Sequence, residues 1–272
     1  MLSTKKSKPS REYISSLERS LQVLKCFTSE TPELTISEIA VVTELNKAVV
    51  RRCLHTFLHL GYVKKVGKLF VLGVKVMDIG SSFLESMRVE EAFRPALQKL
   101  SDATGDTSSL AVLQGENIVF LVYVSTAPTI QKYVGVGIKF PAYVAAMGRT
   151  MLAHKKEEEL DAYLENLQLE KFTKTTVPTT AQLRRILRQV KVQGYAIVDG
   201  ELDENIVSLA VPIKARSGAV IASINCSTTR SKVGMAADEM VKTRLPALRV
   251  AAEEIEEELK HYPQIVHSLL GG

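Results

Sequence analysis

Cysteine and long apolar runs are both scarce in this chain of 272 residues. The three cysteines, Cys26, Cys53 and Cys226, are odd in number and far apart, which argues against a disulfide framework and a C-x-x-C metal site. No apolar run approaches the ~18 residues that a membrane span needs. The basic start of the chain, MLSTKKSKPSREY, is not followed by the apolar stretch of a secretory signal. These absences predict a cytoplasmic protein with no membrane partner, in which residues 1–14 are a disordered arm.

Charge is distributed unevenly along the chain. Residues 1–75 contain thirteen Lys and Arg against six Asp and Glu, a net charge of +7. Residues 76–272 contain twenty-two against twenty-four, a net charge of −2. The length fits one large or two ordinary domains. A basic domain joined to a nearly neutral one indicates that only the first meets a polyanion.

The segment NKAVVRRCLHTFLHLGY, residues 46–62, has the period of an amphipathic helix. Its apolar stripe consists of Val50, Cys53, Leu54, Phe57 and Leu58. Its other side carries Lys47, Arg51, Arg52, His55 and His59. An ordinary solvated face mixes both signs of charge, because opposite charges at i,i+4 stabilise a helix. A face that has cations and no acidic residue indicates a surface for a polyanion.

Local signals place this helix second in a helix-turn-helix pair. Thr35 and Glu38 form a capping box for a short preceding helix. Asn46 is a good N-cap for the basic helix, and Gly61 ends it. A first helix is expected over residues 15–28, and a strand–turn–strand hairpin follows the pair. This order of elements predicts a winged helix-turn-helix domain.

The winged helix explains the basic face. The second helix of the pair lies in the major groove, where Lys and Arg can donate to guanine O6 and N7. Lys64, Lys65 and Lys68 on the hairpin would contact phosphates and set the register on DNA. The alternative is a helical hairpin with a solvated face, but the capping residues, the turn, the hairpin and the sign of the charge all agree with a DNA-binding domain.

The chain divides into four segments. After the arm, residues 15–75 form the winged helix, and two apolar stripes over residues 76–101 predict linker helices. Residues 102–272 contain paired strands, a further strand KYVGVGI at 132–138, and a long final helix over 232–260. Mixed strands with helices at both ends predict an α+β domain of about six strands.

Several stretches resemble the IclR family of bacterial transcription factors. In the first domain they are SLERSLQVLKCF, LTISEIAVVTELNKAVVRRCLHTFLHLGYV and FVLGVKVMDIG. In the second they are PAYVAAMGRTMLA, GYAIVDGELDENIVSLAVPI and LPALRVAAEEI. The resemblance implies an effector-binding second domain with a GAF-like fold. The motifs are most similar to those of the branch that controls catabolism of aromatic acids such as protocatechuate and 4-hydroxybenzoate. Regulators that respond to glyoxylate or keto acids are the alternative.

The resemblance also implies which residues face DNA. Lys47, Ala48, Arg51 and Arg52 match the family's DNA-facing positions on the second helix. Arg52 has an alternative role as the partner of a phosphate or a neighbouring carboxylate, without reading a base. The two histidines further along the helix are expected to face solvent or the phosphate backbone.

Polar residues in otherwise apolar strands indicate a site in the second domain. Asn225 and Ser227 are two residues apart and therefore project to one face of their strand, and Ser208 is polar within SLAVPI. Buried groups of this kind need partners, which a bound carboxylate or phenol would supply. By resemblance these three residues, with Asp199, correspond to the place where family members hold a small acid. The alternative is that they bond only to neighbouring loops.

A second part of this site is expected at the segment AAMGR. Ala146, Met147 and Gly148 begin a predicted helix, where free N–H groups and the helix dipole favour an anion. Arg149 would pair either with a ligand carboxylate or in a structural salt bridge. An apolar wall could come from Leu110, Val112, Tyr133, Phe140 and Tyr143. The family often has a glycine where this chain has Asn205, so the loop at residues 203–205 is expected to differ.

An enzyme and a redox sensor are the other classes to consider. His154 and His261 have no neighbouring Ser or Cys motif, and GVGIKF lacks the third glycine of a dinucleotide loop. Cys226 has no nearby resolving cysteine. We therefore expect no catalytic residue, cofactor or metal. The expected partners are double-stranded operator DNA, a small organic acid and further copies in a homodimer or homotetramer, with RNA polymerase added if the protein activates transcription.

Overall fold

The computed structural model describes residues 12–125, 135–230 and 237–270. The chain forms two compact units that divide between Phe83 and Leu84. Most of the predicted arm lies outside the described residues. None of the helices in the described ranges is both long enough and apolar enough to cross a membrane.

The first unit is a winged helix-turn-helix, as the sequence predicts. Its helices are α1 (Ser15–Leu24), α2 (Ile36–Thr43) and α3 (Lys47–Leu60), and its strands are β1 (Glu33–Leu34), β2 (Val63–Val66) and β3 (Leu69–Leu72). The strands form an antiparallel sheet in the order β1-β3-β2. One detail differs from expectation: helix α1 ends at Leu24 rather than at residue 28. Residues 33–34 form a further short strand that pairs with β3.

Capping residues define the helix-turn-helix. The Thr35 backbone N–H donates to Glu38 Oε2 at 2.7 Å, and the Glu38 N–H donates to Thr35 Oγ1 at 3.3 Å. The Thr35 N–H bond, together with a bond from the Thr35 hydroxyl to the same Glu38 oxygen at 2.7 Å, holds the pKa of the Glu38 carboxyl below its ordinary value. Asn46 Oδ1 accepts the Ala48 N–H at 2.8 Å and begins α3. Gly61 ends α3 with a φ of 84°, a left-handed conformation that glycine adopts without strain.

The second unit is built on one antiparallel sheet. Helix α4 (Met77–Ser86) spans the boundary between the units, and α5 (Val89–Thr104) follows it. The strands are β4 (Thr107–Gln114), β5 (Asn117–Val124), β6 (Lys139–Pro141), β7 (Ala196–Asp199), β8 (Ile206–Lys214) and β9 (Val220–Thr229). The helices after β6 are α6 (Ala146–Leu152), α7 (Glu157–Asn166), α8 (Thr180–Gln193), α9 (Ala237–Glu258) and α10 (Pro263–Leu270). The strand order is β6-β5-β4-β9-β8-β7. The expected α+β, GAF-like architecture is confirmed.

The two faces of this sheet pack against different helices. On one face lie α5 and α9; there Ser108 Oγ donates to the Leu97 carbonyl of α5 at 2.7 Å. On the other face lies α6, where Thr150 Oγ1 donates to Ser223 Oγ at 2.7 Å. Because neighbouring residues of a strand alternate between faces, the side chains of 107 and 109 face the α6 side. That is the side on which a cavity opens.

Three parts of the second unit differ from the expectations. Helix α5, expected within a linker, buries Phe93, Leu97 and Leu100 in the second unit. Of the expected strand KYVGVGI, residues 132–134 lie outside the described part, and residues 135–138 form a turn, closed by the Ile138 N–H donating to the Gly135 carbonyl at 3.1 Å. Helices α7 and α10 were not expected. The final long helix is described from Ala237 onward.

Candidate functional site

The first candidate surface is the outer side of α3. Val50, Cys53 and Leu54 are buried and anchor the helix in the core of the first unit. The expected DNA-facing residues Lys47, Ala48, Arg51 and Arg52 are all exposed. Within the described ranges, none of these three cations makes an ion pair. The structure therefore shows no carboxylate partner for Arg52, and all three cations stay available for an external anion.

The hairpin after α3 carries the other expected DNA contacts. Lys64, Lys65 and Lys68 are exposed on β2 and the turn that follows it. Lys65 Nζ lies 5.9 Å from the centroid of the Phe70 ring, a distance at which the ring attracts a cation. The hairpin thus adds a second basic element to the same unit as α3.

The second candidate site is a cavity of about 620 Å³ in the second unit. Its apolar lining includes Phe120 and Phe140, whose rings meet edge to face with centroids 5.5 Å apart. Its polar lining comes mostly from three adjacent strands and the end of a fourth. We call this set of six side chains the polar floor: Thr107, Ser109, Tyr123, Ser208, Asn225 and Ser227.

Sheet register brings the polar floor together. In one row Ser227 of β9 lies opposite Thr107 of β4 and opposite Ser208 of β8. In the next row on the same face, Ser109 of β4 lies between Asn225 of β9 and Tyr123 of β5. Residues directly opposite in antiparallel strands share a face and have Cβ atoms about 4.5–5.5 Å apart.

Three members of the polar floor form a hydrogen-bonded triangle. Asn225 Nδ2 donates to Ser208 Oγ at 3.0 Å and to Ser227 Oγ at 2.9 Å. Ser227 Oγ donates to Ser208 Oγ at 2.9 Å. The two donors of the amide and the proton of Ser227 are therefore used, which leaves the Ser208 proton and Asn225 Oδ1 for another group. These residues bond to one another across strands, rather than only to neighbouring loops.

The polar floor also holds groups without a partner. Asn225 Oδ1, Thr107 Oγ1 and the Tyr123 hydroxyl are buried and have no hydrogen-bond partner within the described residues. A buried polar group left unpaired costs roughly 1–3 kcal/mol. A ligand that bonds to these atoms would remove that cost. Thr107, Ser109 and Tyr123 were not predicted as site residues; the polar run TSS at the start of an apolar strand was the available signal.

The start of α6 forms part of another side of the cavity. Ala146 and Met147 line it, and the N-cap residue Ala145 offers no side-chain cap for the first N–H groups of the helix. Gly148 does not line the cavity. A Cβ at Gly148 would lie 2.1 Å from the Ala142 carbonyl oxygen, so this glycine allows α6 to approach the preceding 3₁₀ turn closely.

Arg149 is a structural residue at the back of this site. It is 2% exposed, and its Nε donates to the Tyr143 carbonyl at 2.8 Å. Its Nη1 and Nη2 donate to the two carboxylate oxygens of Glu201 at 2.7 and 2.6 Å. Glu201 Oε2 also accepts the Val177 N–H at 2.9 Å. The guanidinium therefore has partners inside the protein and does not line the cavity.

The Arg149–Glu201 pair fixes a loop that we call the wall loop, residues 200–205. Threonine hydroxyls add to this anchor: Thr173 Oγ1 donates to the Gly200 carbonyl at 2.6 Å, and Thr176 Oγ1 donates to the Glu201 carbonyl at 2.7 Å. Leu202, Asp203 and Asn205 of the wall loop line the cavity. The buried pair thus holds one wall of the cavity in position.

Other expected residues lie elsewhere. Asp199 does not line the cavity; Arg230 Nη2 donates to its Oδ1 at 2.6 Å. Of the expected apolar wall, Phe140 lines the cavity and Tyr133 falls outside the described residues. Tyr143 donates its hydroxyl proton to the Glu170 carbonyl at 2.9 Å, and burial raises the pKa of its phenol. Neither Leu110 nor Val112 lines the cavity.

The surroundings of Cys226 argue against redox chemistry. The side chain is fully buried, and burial, with a further effect of the Asp106 carboxylate, raises the pKa of the Cys226 thiol to about 12. The reactive species is the thiolate, and burial disfavours that form of Cys226 at neutral pH. In the part of the chain that the structure describes, no group of His, Cys, Asp and Glu side chains is arranged to hold a metal ion.

The first unit is a winged helix whose basic α3 face makes no ion pair within the described residues. The second unit is an α+β domain that encloses a cavity with a polar floor. This combination is typical of transcriptional regulators that bind both DNA and a small molecule. The family described as the IclR helix-turn-helix domain matches residues 16–67. The family described as the C-terminal domain of the bacterial transcriptional regulator IclR matches residues 81–257. The chain belongs to the IclR family of bacterial transcriptional regulators, as its sequence motifs suggest.

Individual relatives support this assignment. The Pca regulon regulatory protein of Pseudomonas putida is 34% identical over 248 residues, which cover 90% of this chain and 84% of that protein. The crystal structure of an IclR family transcriptional regulator from Brucella abortus matches with a TM-score of 0.80 and 25% identity over 94% of this chain and 96% of that one. An IclR homolog from Microbacterium hydrocarbonoxydans, crystallised with 4-hydroxybenzoate, has the same fold, with a TM-score of 0.73 and 23% identity over 90% and 99% of the two chains.

Replacing Arg149 by Met should destabilise the second unit. The variant leaves the Glu201 carboxylate largely buried without its partner, and breaking a buried pair in this way costs about 3–5 kcal/mol. Arg184→Met is the matched control, because Arg184 pairs with Glu157 and Asp161 nearer the surface and should cost less than about 1 kcal/mol. Urea denaturation followed by circular dichroism measures both, and equal losses would show that the Arg149 pair has no special structural role.

Proposed function

We propose that this regulator binds operator DNA through its first unit and a small organic acid through its second, and that the acid changes operator binding. The observation that carries the proposal is the cavity, in which buried polar atoms of Thr107, Tyr123 and Asn225 have no hydrogen-bond partner among the described residues. Apolar cavities with a few convergent polar groups are the usual form of small-molecule sites.

The DNA-binding part of the proposal rests on α3 and the hairpin. Helix α3 would lie in the major groove, with Arg51 and Arg52 donating to base edges and Lys47 and Ala48 close to the DNA backbone or bases. Lys64, Lys65 and Lys68 would contact phosphates. Because all these cations are exposed and on one unit, operator affinity should fall with salt as counterions are released.

The proposed oligomer is a homodimer or homotetramer, in which two α3 helices would read a palindromic or repeated operator. Exposed apolar side chains on the first unit support it. Ile14, Leu17 and Leu21, at and along α1, are 63%, 58% and 44% exposed, and Met77 and Ile79 of α4 are 65% and 58% exposed. Apolar stripes of this kind mark protein–protein contacts. RNA polymerase would be a further partner if the protein activates transcription.

Arg51→Ala and Arg52→Ala should each weaken operator binding. Loss of a base contact should cost about 1–3 kcal/mol and relax specificity at one position, whereas loss of a phosphate contact should weaken all sequences alike and flatten the salt slope. Fluorescence anisotropy at several salt concentrations separates the two cases. Arg188→Ala, an exposed charge change on α8 of the other unit, is the control. Unchanged operator affinity in both variants would show that α3 does not contact the DNA.

The proposed effector is a hydroxylated aromatic acid. Its carboxylate would accept from the N–H groups at the start of α6, near Ala146 and Met147, and its hydroxyl would meet the polar floor. The rings of Phe120 and Phe140 offer an apolar surface to a planar ring. The name of the Pseudomonas putida relative and the 4-hydroxybenzoate bound to the Microbacterium hydrocarbonoxydans homolog agree with this choice.

Ser208→Ala and Asn225→Leu should each lower the affinity for the acid by roughly 10-fold or more. Each substitution removes a hydrogen bond to a buried group of the ligand, and water cannot replace that bond. Operator binding by the free protein should stay nearly unchanged. Calorimetric titration with protocatechuate, 4-hydroxybenzoate, benzoate and a short keto acid measures this.

Thr228→Val is the matched control for these substitutions. Thr228 lies on the same strand β9 and is buried, but its side chain faces away from the cavity. It should leave acid affinity unchanged. Wild-type affinity in both cavity variants would place the effector elsewhere, and binding of the keto acid alone would refute the aromatic assignment.

A further inference from the structure

The charge of the cavity lining is one-sided. Of the side chains described as lining it, Asp203 is the only acidic one, and no Lys, Arg or His is among them. The first carboxylate of an acid therefore has to bind through neutral donors, such as the N–H groups at the start of α6 and the hydroxyls of the polar floor. A second carboxylate would have no cation to meet among these residues and would face the Asp203 carboxylate.

Asp203 is held where it lines the cavity. Its Oδ1 accepts the Asn205 N–H at 2.8 Å, and its own carbonyl accepts the Ile206 N–H at 3.0 Å. The wall loop that carries it is anchored by the buried Arg149–Glu201 pair. The residue is half-buried, and the bond to the Asn205 N–H restricts how its carboxylate can turn at the wall.

The size of the cavity makes this charge effective. A volume of about 620 Å³ corresponds to a width on the order of 10 Å, so that every bound group lies within about one Debye length of Asp203. If a second ligand carboxylate lies about 8 Å from Asp203 and the effective dielectric constant is about 20, repulsion between the two charges lowers the affinity for that ligand by roughly 10- to 30-fold.

We infer that the charge of Asp203 sets the specificity of the cavity: it disfavours dicarboxylates relative to monocarboxylates whose far end is a neutral hydrogen-bond donor. This inference rests on the proposed binding of a small acid in the same cavity. A hydroxyl can donate to Asn225 Oδ1 or to the Asp203 carboxylate, whereas a second carboxylate can donate to neither. Asp203 thus favours binding of a hydroxylated aromatic acid over a dicarboxylic acid built on the same ring.

The test compares 4-hydroxybenzoate with terephthalate, which replaces the para hydroxyl by a second carboxylate. Calorimetric titration should show that the wild-type protein prefers 4-hydroxybenzoate by about 10-fold or more. In Asp203→Asn, whose side-chain carbonyl can still accept the Asn205 N–H, the preference should shrink by roughly 10-fold, mainly through tighter terephthalate binding. Asp203→Ser is a second variant that removes the charge with a smaller side chain.

Glu204→Gln is the matched control. Glu204 is the next residue, is exposed and does not line the cavity, so the same change in net charge should leave the preference as it is in the wild type. If 4-hydroxybenzoate binds and neither Asp203 variant changes the preference, the inference is wrong while the proposed function stands. The same holds if Glu204→Gln changes it equally. If the wild-type protein binds neither acid, the proposed aromatic effector fails, and the inference fails with it.

Discussion

The register of the antiparallel sheet is the constraint on which the second unit depends. Side chains alternate between the two faces of a strand, so a shift by one residue would turn the polar floor toward α5 and α9. In the observed register, Ser227 lies between Thr107 and Ser208, and Ser109 lies opposite Asn225. The same alternation directs Ser108 to the helix-covered face, where it bonds to α5. Packing on one face therefore fixes the polar site on the other.

A second constraint is the position of the loop that closes the cavity. Six residues without regular structure would by themselves sample many conformations, at an entropic cost of about 1–2 kcal/mol per residue when ordered. The Arg149–Glu201 pair and the hydroxyls of Thr173 and Thr176 hold this loop through several short hydrogen bonds. The charge of Asp203 acts on a ligand because these interactions keep it at the wall. Structure and specificity are linked here through one buried ion pair.

Features set by nearby residues could be predicted from the sequence, and features set by distant ones could not. The bounds of α3 follow from Asn46 and Gly61, which cap the helix locally. Polar residues within apolar strands, such as Asn225, indicated a site. Its remaining members depend on pairing between strands over 100 residues apart in the chain, which no local pattern encodes, and so Thr107 was missed. The partner of Arg149 is also remote in sequence, and only the structure decides between a ligand and a salt bridge.

In the proposed mechanism, binding of the acid to the second unit and binding of operator to the first are coupled. Coupling of this kind is reciprocal: the acid must change operator affinity by the same factor, typically 5- to 150-fold, by which operator changes acid affinity. The most direct measurement is a pair of titrations, operator binding by anisotropy with and without saturating 4-hydroxybenzoate, and acid binding by calorimetry with and without operator. We expect the two factors to be equal and to differ from one. Tight acid binding with superimposable operator curves would contradict it.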